Sequence, residues 1–203
     1  MSAEFDSHGL LDHWFQDCRE DPDQVGGRMA WWFGSDDARD RWLADIYRAP
    51  CEAAGRGELD RLAADPRQRL ALILLLDQLP RNLFRGTARA FETDPAALHL
   101  CVEGHRADMD SALTHIEKVF FWMPLQHCED LDLQNLGVDL YSSLAPADPY
   151  RSQLWKGVAE YARLHRDIIA RFGRFPHRNA VLGRESTPEE TAYLEDGGES
   201  FGQ

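Results

Sequence analysis

Seven consecutive apolar residues, Leu70 to Leu76, constrain this chain more than anything else in it. They follow Asp65-Pro66-Arg67-Gln68, which reads as a helix N-cap, a proline at the first helical position and a glutamine at the third. The pattern predicts a helix that runs through the leucines and stops before Pro80. A helix apolar on every side has no face to give to water, so the rest of the chain must close around it. The run is also the longest apolar stretch, far short of the roughly 20 residues a membrane span needs.

The remaining punctuation is helical too. Leu10, Leu11, Trp14, Phe15 and Cys18 recur at helical spacing. A helix starting near Asp36 carries Trp42, Leu43, Ile46 and Tyr47, with Pro50 expected to bend or end it before Gly55 and Gly57. Asp94-Pro95 repeats the cap-then-proline signal, and Asp110 or Ser111 opens a helix with Leu113, Ile116, Val119 and Phe120 inward. Pro124 breaks that helix and starts another that reaches about Leu144. Asp148-Pro149 opens a long helix closed by Gly173, and Thr187-Pro188-Glu189-Glu190 is a capping box for a last one, closed by Gly197-Gly198. No segment alternates with period two long enough for a strand. The expectation is one all-α domain over residues 1–203, of about eight antiparallel helices, with an ordered core at about 8–196 and short flexible tails.

Composition narrows the function classes. With 43% hydrophobic and 10% aromatic residues the chain is not mainly disordered, and a net charge of −13 argues against a nucleic-acid partner. Met1 to Asp6 is acidic and lacks the basic start of a secretory signal. Cys18, Cys51, Cys101 and Cys128 are far apart and read as reduced thiols of a cytoplasmic protein. No membrane partner and no cofactor is expected. Against the acidic total, all but Lys118 and Lys156 of the 22 basic residues are arginine, whose planar fork suits carboxylate and phosphate.

Three stretches put polar residues where the helical pattern expects apolar ones. His165 falls in the stripe Leu154, Val158, Tyr161, Ile168, Phe172 of the long helix. After Pro124, a helical wheel places His127, Asp130 and Gln134 on one face and Glu129 on the other, as either a hydrogen-bond network or a proton-transfer group. The same residue types also bind metals, but with no HExxH or HxH spacing present the network is favoured and no metal ligand is assigned. The third stretch carries Arg174, His177, Arg178 and Asn179, within a segment of six arginines and one acid between Arg163 and Arg184. Arg81, Asn82, Arg85 and Arg89 form a second acid-free island. The two islands either converge on an anion or pair internally with Asp77, Glu129 or Asp130.

At these residues the chain resembles the bacterial family known as domain of unknown function 924. The matching stretches are Leu70–Phe91 with Asp94, Phe121–Gln134, and His165–Thr187 with Glu190, together with Trp32–Gly34. FGRFPHRN, Phe172–Asn179, is the most specific string, and Cys128 stands where the resemblance leads to a serine. The resemblance implies a tetratricopeptide-like superhelical stack and no activity. It directs attention to Asp77, Gln78, Arg81, Asn82, Arg85, His127, Glu129, Asp130, Gln134, His165, Arg174, His177, Arg178 and Asn179.

Three functions follow from these residues. The first is binding of a small anionic ligand or acidic peptide in a cleft ringed by Arg81, Arg85, Arg174 and Arg178. The second is a hydrolase or transferase in which His127 or His165 acts as base, with Asp130 or Glu129 orienting it or binding a metal and the arginines stabilising negative charge. The third is a helical protein-interaction module, favoured if Trp31, Trp32, Trp122 and Trp155 are exposed together.

Overall fold

A computed structural model describes residues 5–201. The tail expectation for the outermost residues, 1–4 and 202–203, lies outside the described residues. Helices α1 (Ser7–Phe15), α2 (Val25–Phe33) and α3 (Asp37–Gly55) precede the apolar run. That run forms α4 (Pro66–Ile73), a π-helical turn (Leu74–Gln78) and α5 (Leu79–Leu83). Next come α6 (Asp94–Arg106), α7 (His115–Phe121), α8 (Met123–His127), α9 (Leu131–Ala147), α10 (Ser152–Phe172) and α11 (Pro188–Glu195), joined by short loops and 3-10 turns. The fold is all-α, with no strand among the described residues. No helix of the described residues is long and apolar enough to cross a membrane.

Every residue from Leu70 to Leu76 is buried. Around it, α4 touches α1, α6 and α7, and α5 packs on α3. α9 and α10 lie against each other as a hairpin beside this core. Trp32, Trp122 and Trp155 are buried and Trp31 is half-buried, so these tryptophans form no shared exposed patch.

Local caps form where the sequence places them. Asp65 accepts from the amides of Arg67 and Gln68. Thr187 with Glu190 completes a capping box, and Gly173 ends α10 in the left-handed region at φ 69°.

Other boundaries differ from the expectation, each for a physical reason. Of the two outcomes expected of Pro50, an end does not occur: it lies inside α3, which continues to Gly55. The central helix passes through Pro80 because the π turn shifts the ladder, with the Leu79 amide donating to Leu74 O. Pro80 has no N–H for Leu76 O, and the Thr93 hydroxyl donates to that carbonyl instead, at 2.6 Å. Asp110 caps nothing; it is buried and accepts from Trp122 Nε1 at 2.8 Å, while Thr114 with Glu117 caps α7. The helix after Pro124 breaks at 128–130, where the Gln134 amide donates to Gln126 O (2.6 Å) and Cys128 O (2.9 Å) and Asp130 caps α9. Val25–Phe33 is helical despite Gly26-Gly27, held by buried Val25 and Trp32.

Thr93→Val keeps the shape but leaves Leu76 O without its donor. It is expected to cost about 1–3 kcal/mol in urea denaturation, the penalty for an unsatisfied buried carbonyl. A loss below a few tenths would show that water replaces the hydroxyl.

Candidate functional site

The π turn carries Asp77 inward, where its side chain has no exposure at all. A buried carboxylate needs partners, and this one has three. His127 Nδ1 lies 2.7 Å from Oδ1, the Gln78 amide donates to Oδ2 at 2.6 Å, and Arg81 sits one turn on at 3.4 Å from Oδ1. Burial alone would raise the Asp77 carboxyl, but Arg81, His127 and these hydrogen bonds outweigh it and hold the group well below the usual carboxylate range. An ionised Asp77 fixes the proton of His127 on Nδ1. Burial and the neighbouring Arg81 push His127 down, so at neutral pH the ring is an uncharged imidazole with its Nε2 lone pair unprotonated.

A second carboxylate ties the two arginine islands together. Arg81 grips Asp94 with both terminal nitrogens, at 2.9 Å each, and Arg178 approaches the same carboxylate at 3.5 Å. Asp94 therefore does not cap α6 as its sequence position implies; Thr93 occupies that position without a side-chain bond. Arg178 also donates to His127 O at 2.9 Å, a carbonyl freed where α8 stops. Its guanidinium lies between the rings of Phe91 (4.6 Å) and Phe175 (4.3 Å). Burial, then repulsion from Arg81, lowers the Arg178 guanidinium to about 10, so it stays charged at neutral pH. Asp40 of α3 forms a third anchor, accepting from Asn82 at 2.9 Å and from Arg85 at 3.1 Å.

These groups form one wall of a cleft of about 800 Å³. Gln78, Arg81, Asn82, Arg85, Gln126, His127, His165, His177 and Arg178 line it, together with side chains of α2, α7 and the first half of α10. Glu199 to Phe201 close one side, with the Phe201 ring stacked 3.8 Å from that of His165. His165 Nδ1 donates to Tyr161 O at 2.9 Å, and its ring is 6.1 Å from that of His127. Burial, then His127, lowers His165 to about 3; burial, then Arg178, lowers His177 to about 3. Both are neutral rings at neutral pH.

The profile of a family described as bacterial protein of unknown function (DUF924) matches residues 10–198. The chain belongs to this family. A solved structure from Agrobacterium tumefaciens, the protein of unknown function ATU0120, is 40% identical with a TM-score of 0.76, covering 94% of this chain and 97% of that one. No curated protein matches the chain.

In this DUF924 member the structure gathers part of the set singled out from sequence. Arg81, Asn82, Arg85, His127, His165, His177 and Arg178 meet in the cleft. Arg174 does not: it pairs with Glu190 at 2.6 Å and, like Asn179, which donates to Glu190 at 3.2 Å, secures the C-terminal helix. Glu129 accepts from Arg184 (2.7 Å) and from the Phe175 amide (2.8 Å), so it shapes the FGRFPHRN turn and does not orient a histidine. Asp130 and Gln134 are spent on the chain break described above, which also takes them off the face of His127. Cys128 donates to Leu125 O at 3.1 Å, and burial raises its thiol to about 11, which suits a packed thiol rather than a nucleophile. Among the described residues no group of three or more His, Cys, Asp or Glu is placed to hold a metal ion.

Sequence reasoning missed Asp40, Gln126, Thr93 and Phe201. Asp40 sits among charged residues at the start of α3, where nothing local marks it as an anchor for positions more than forty residues on. Phe201 lies beyond the expected ordered core, and only its ring contacts reveal it.

Proposed function

We propose that the cleft binds a small anionic ligand, held by guanidinium and imidazole groups of its polar wall. The supporting observation is convergence with a spare donor. Arg81 with Arg85, His127, His165, and His177 with Arg178 come from four separate stretches and line one cleft, and two buried nitrogens of its lining residues, His177 Nδ1 and Arg178 Nε, have no hydrogen-bond partner. The surrounding charge is within one unit of balance, since Asp40, Asp77 and Asp94 face Arg39, Arg81, Arg85 and Arg178. A single negative charge suits that balance better than a multiply charged phosphate. The carboxylate end of an acidic peptide has the same chemistry.

Thermal-shift titration at constant ionic strength tests the reading with acetate, longer monocarboxylates, phosphate and nucleotides. A stabilising anion is expected at millimolar concentration, worth about 2.7 kcal/mol at one hundred times its Kd. If none shifts the transition, the reading is wrong.

One observation favours a second reading, that His127 transfers a proton to or from the ligand. Its Nδ1 is held by a buried carboxylate while the ring lines the cleft, the arrangement that makes Nε2 a general base. The orienting group is then Asp77, in place of Asp130 or Glu129. His165, lowered to about 3, is a poor base at neutral pH.

A further inference from the structure

The cleft is much larger than a small anion needs, and its lining is of two kinds. Besides the polar groups, its lining includes Met29 and Phe33 of α2 and Leu154 and Val158 of α10, with the buried Ile116 and Phe120 of α7 behind them. Met29 and Phe33 are 42% and 44% exposed, large apolar side chains that line the cleft. Phe33 lies parallel to Phe120 at 6.0 Å, so the wall is continuous with the buried aromatic core. We infer that the ligand is amphiphilic, a monocarboxylate whose alkyl or aryl body lies along the α2–α7–α10 wall while its carboxylate meets Arg178.

This inference rests on the anion-binding reading and adds the substrate class to it. The charge balance explains why a body is required. With each cleft arginine facing an aspartate, the polar wall exerts little net pull, and a bare carboxylate gains only the hydrogen bonds of the donors left over. Covering exposed apolar surface supplies the missing affinity, at about 25 cal/mol per Å² of area removed from water. A volume near 800 Å³ lies within the roughly 300–1,000 Å³ usual for pockets that enclose organic ligands. Arg178 is the head-group residue of choice, because its Nε, like His177 Nδ1 next to it in the lining, has no hydrogen-bond partner, and two aromatic rings flank its guanidinium.

Calorimetric titration with butanoate, hexanoate, octanoate and decanoate, below their aggregation concentrations and at fixed ionic strength, tests the inference. Octanol serves as the uncharged control and acetate as the headgroup alone. Affinity is expected to rise about fourfold per methylene, which is about 0.8 kcal/mol converted to a binding ratio. Phe33→Asp, at a position 44% exposed but packed on Phe120, is expected to flatten that series in titrations run below the variant's own melting temperature. A series without chain-length dependence in which acetate still binds overturns the amphiphile and leaves the anion reading standing. Octanol binding as tightly as octanoate overturns the carboxylate head, and with it both readings. A steep series that Phe33→Asp does not alter places the chain elsewhere and overturns the inference. If neither acetate nor any longer acid binds, both readings fall.

Discussion

Asp77→Asn is expected to destabilise this protein by about 3–5 kcal/mol, the usual result of removing one partner from a buried ionic group. For a chain of this size that is a fall of roughly 6–20 °C in melting temperature. The buried arginine keeps Asp94 but loses a neighbouring charge, and the new amide cannot accept every hydrogen bond that Asp77 now takes from His127 and Gln78. Two further readouts separate this from ordinary loss of packing. Nitrogen NMR of the imidazole is expected to show His127 protonated at Nδ1 in the parent and at Nε2 in the variant, where the amide donates to the ring. The stability difference is also expected to depend on pH. Because the folded carboxyl sits below its ordinary value, its contribution is complete above about pH 3.9 and shrinks as the pH falls below that toward the folded pKa. A variant within 1 kcal/mol of the parent at pH 7 would remove Asp77 as the organiser of the site.

The second large effect is acid lability in a window the cleft histidines define. His165 and His177 stay neutral in the folded state down to about 3, whereas an unfolded histidine titrates near 6.5. The sign follows directly. Between these values the unfolded chain binds up to two more protons than the folded one, so their contribution is full above pH 6.5 and is lost as the pH falls through the window. The expected slope is about 1.4 kcal/mol per pH unit for each ring. From pH 6.5 to 5 that sums to as much as about 4 kcal/mol, a large share of a typical 5–15 kcal/mol. His165→Asn is expected to halve the slope and to narrow its stability gap from the parent as the medium is acidified. Urea denaturation at pH 7, 6 and 5 measures this, and equal stability at all three would refute it. The neighbours that keep these rings neutral are cationic or aromatic: Arg178 beside His177, and Tyr161, Phe175 and Phe201 around His165.

Local signals were readable and held. Asp65 before Pro66, Thr187 before Pro188 and Gly173 after Phe172 act through backbone groups within four residues of themselves, so their meaning does not depend on the rest of the fold. Signals that looked local but were not are the ones that misled. Pro80 reads as a helix end until Thr93, from another segment, takes the carbonyl it leaves free. Asp94 reads as a cap until Arg81 claims both of its oxygens. His127, Asp130 and Gln134 share a face only on an unbroken helix. The break that separates them is held by the Gln134 side chain, bonded to carbonyls six and eight residues back.

By itself the sequence determined the all-α class, the burial of Leu70 to Leu76 at the centre, and the concentration of arginine in two stretches of an acidic chain. These follow from periodicity, capping and composition, which are properties of neighbouring residues. Only the tertiary structure decided which carboxylate meets which cation: Asp77 with His127 across 50 residues, Asp40 with Arg85 across 45, and Asp94 between Arg81 and Arg178. A buried charge takes whichever partner the packing brings within about 3 Å. In a stack of helices, that partner is set by which faces meet across the core.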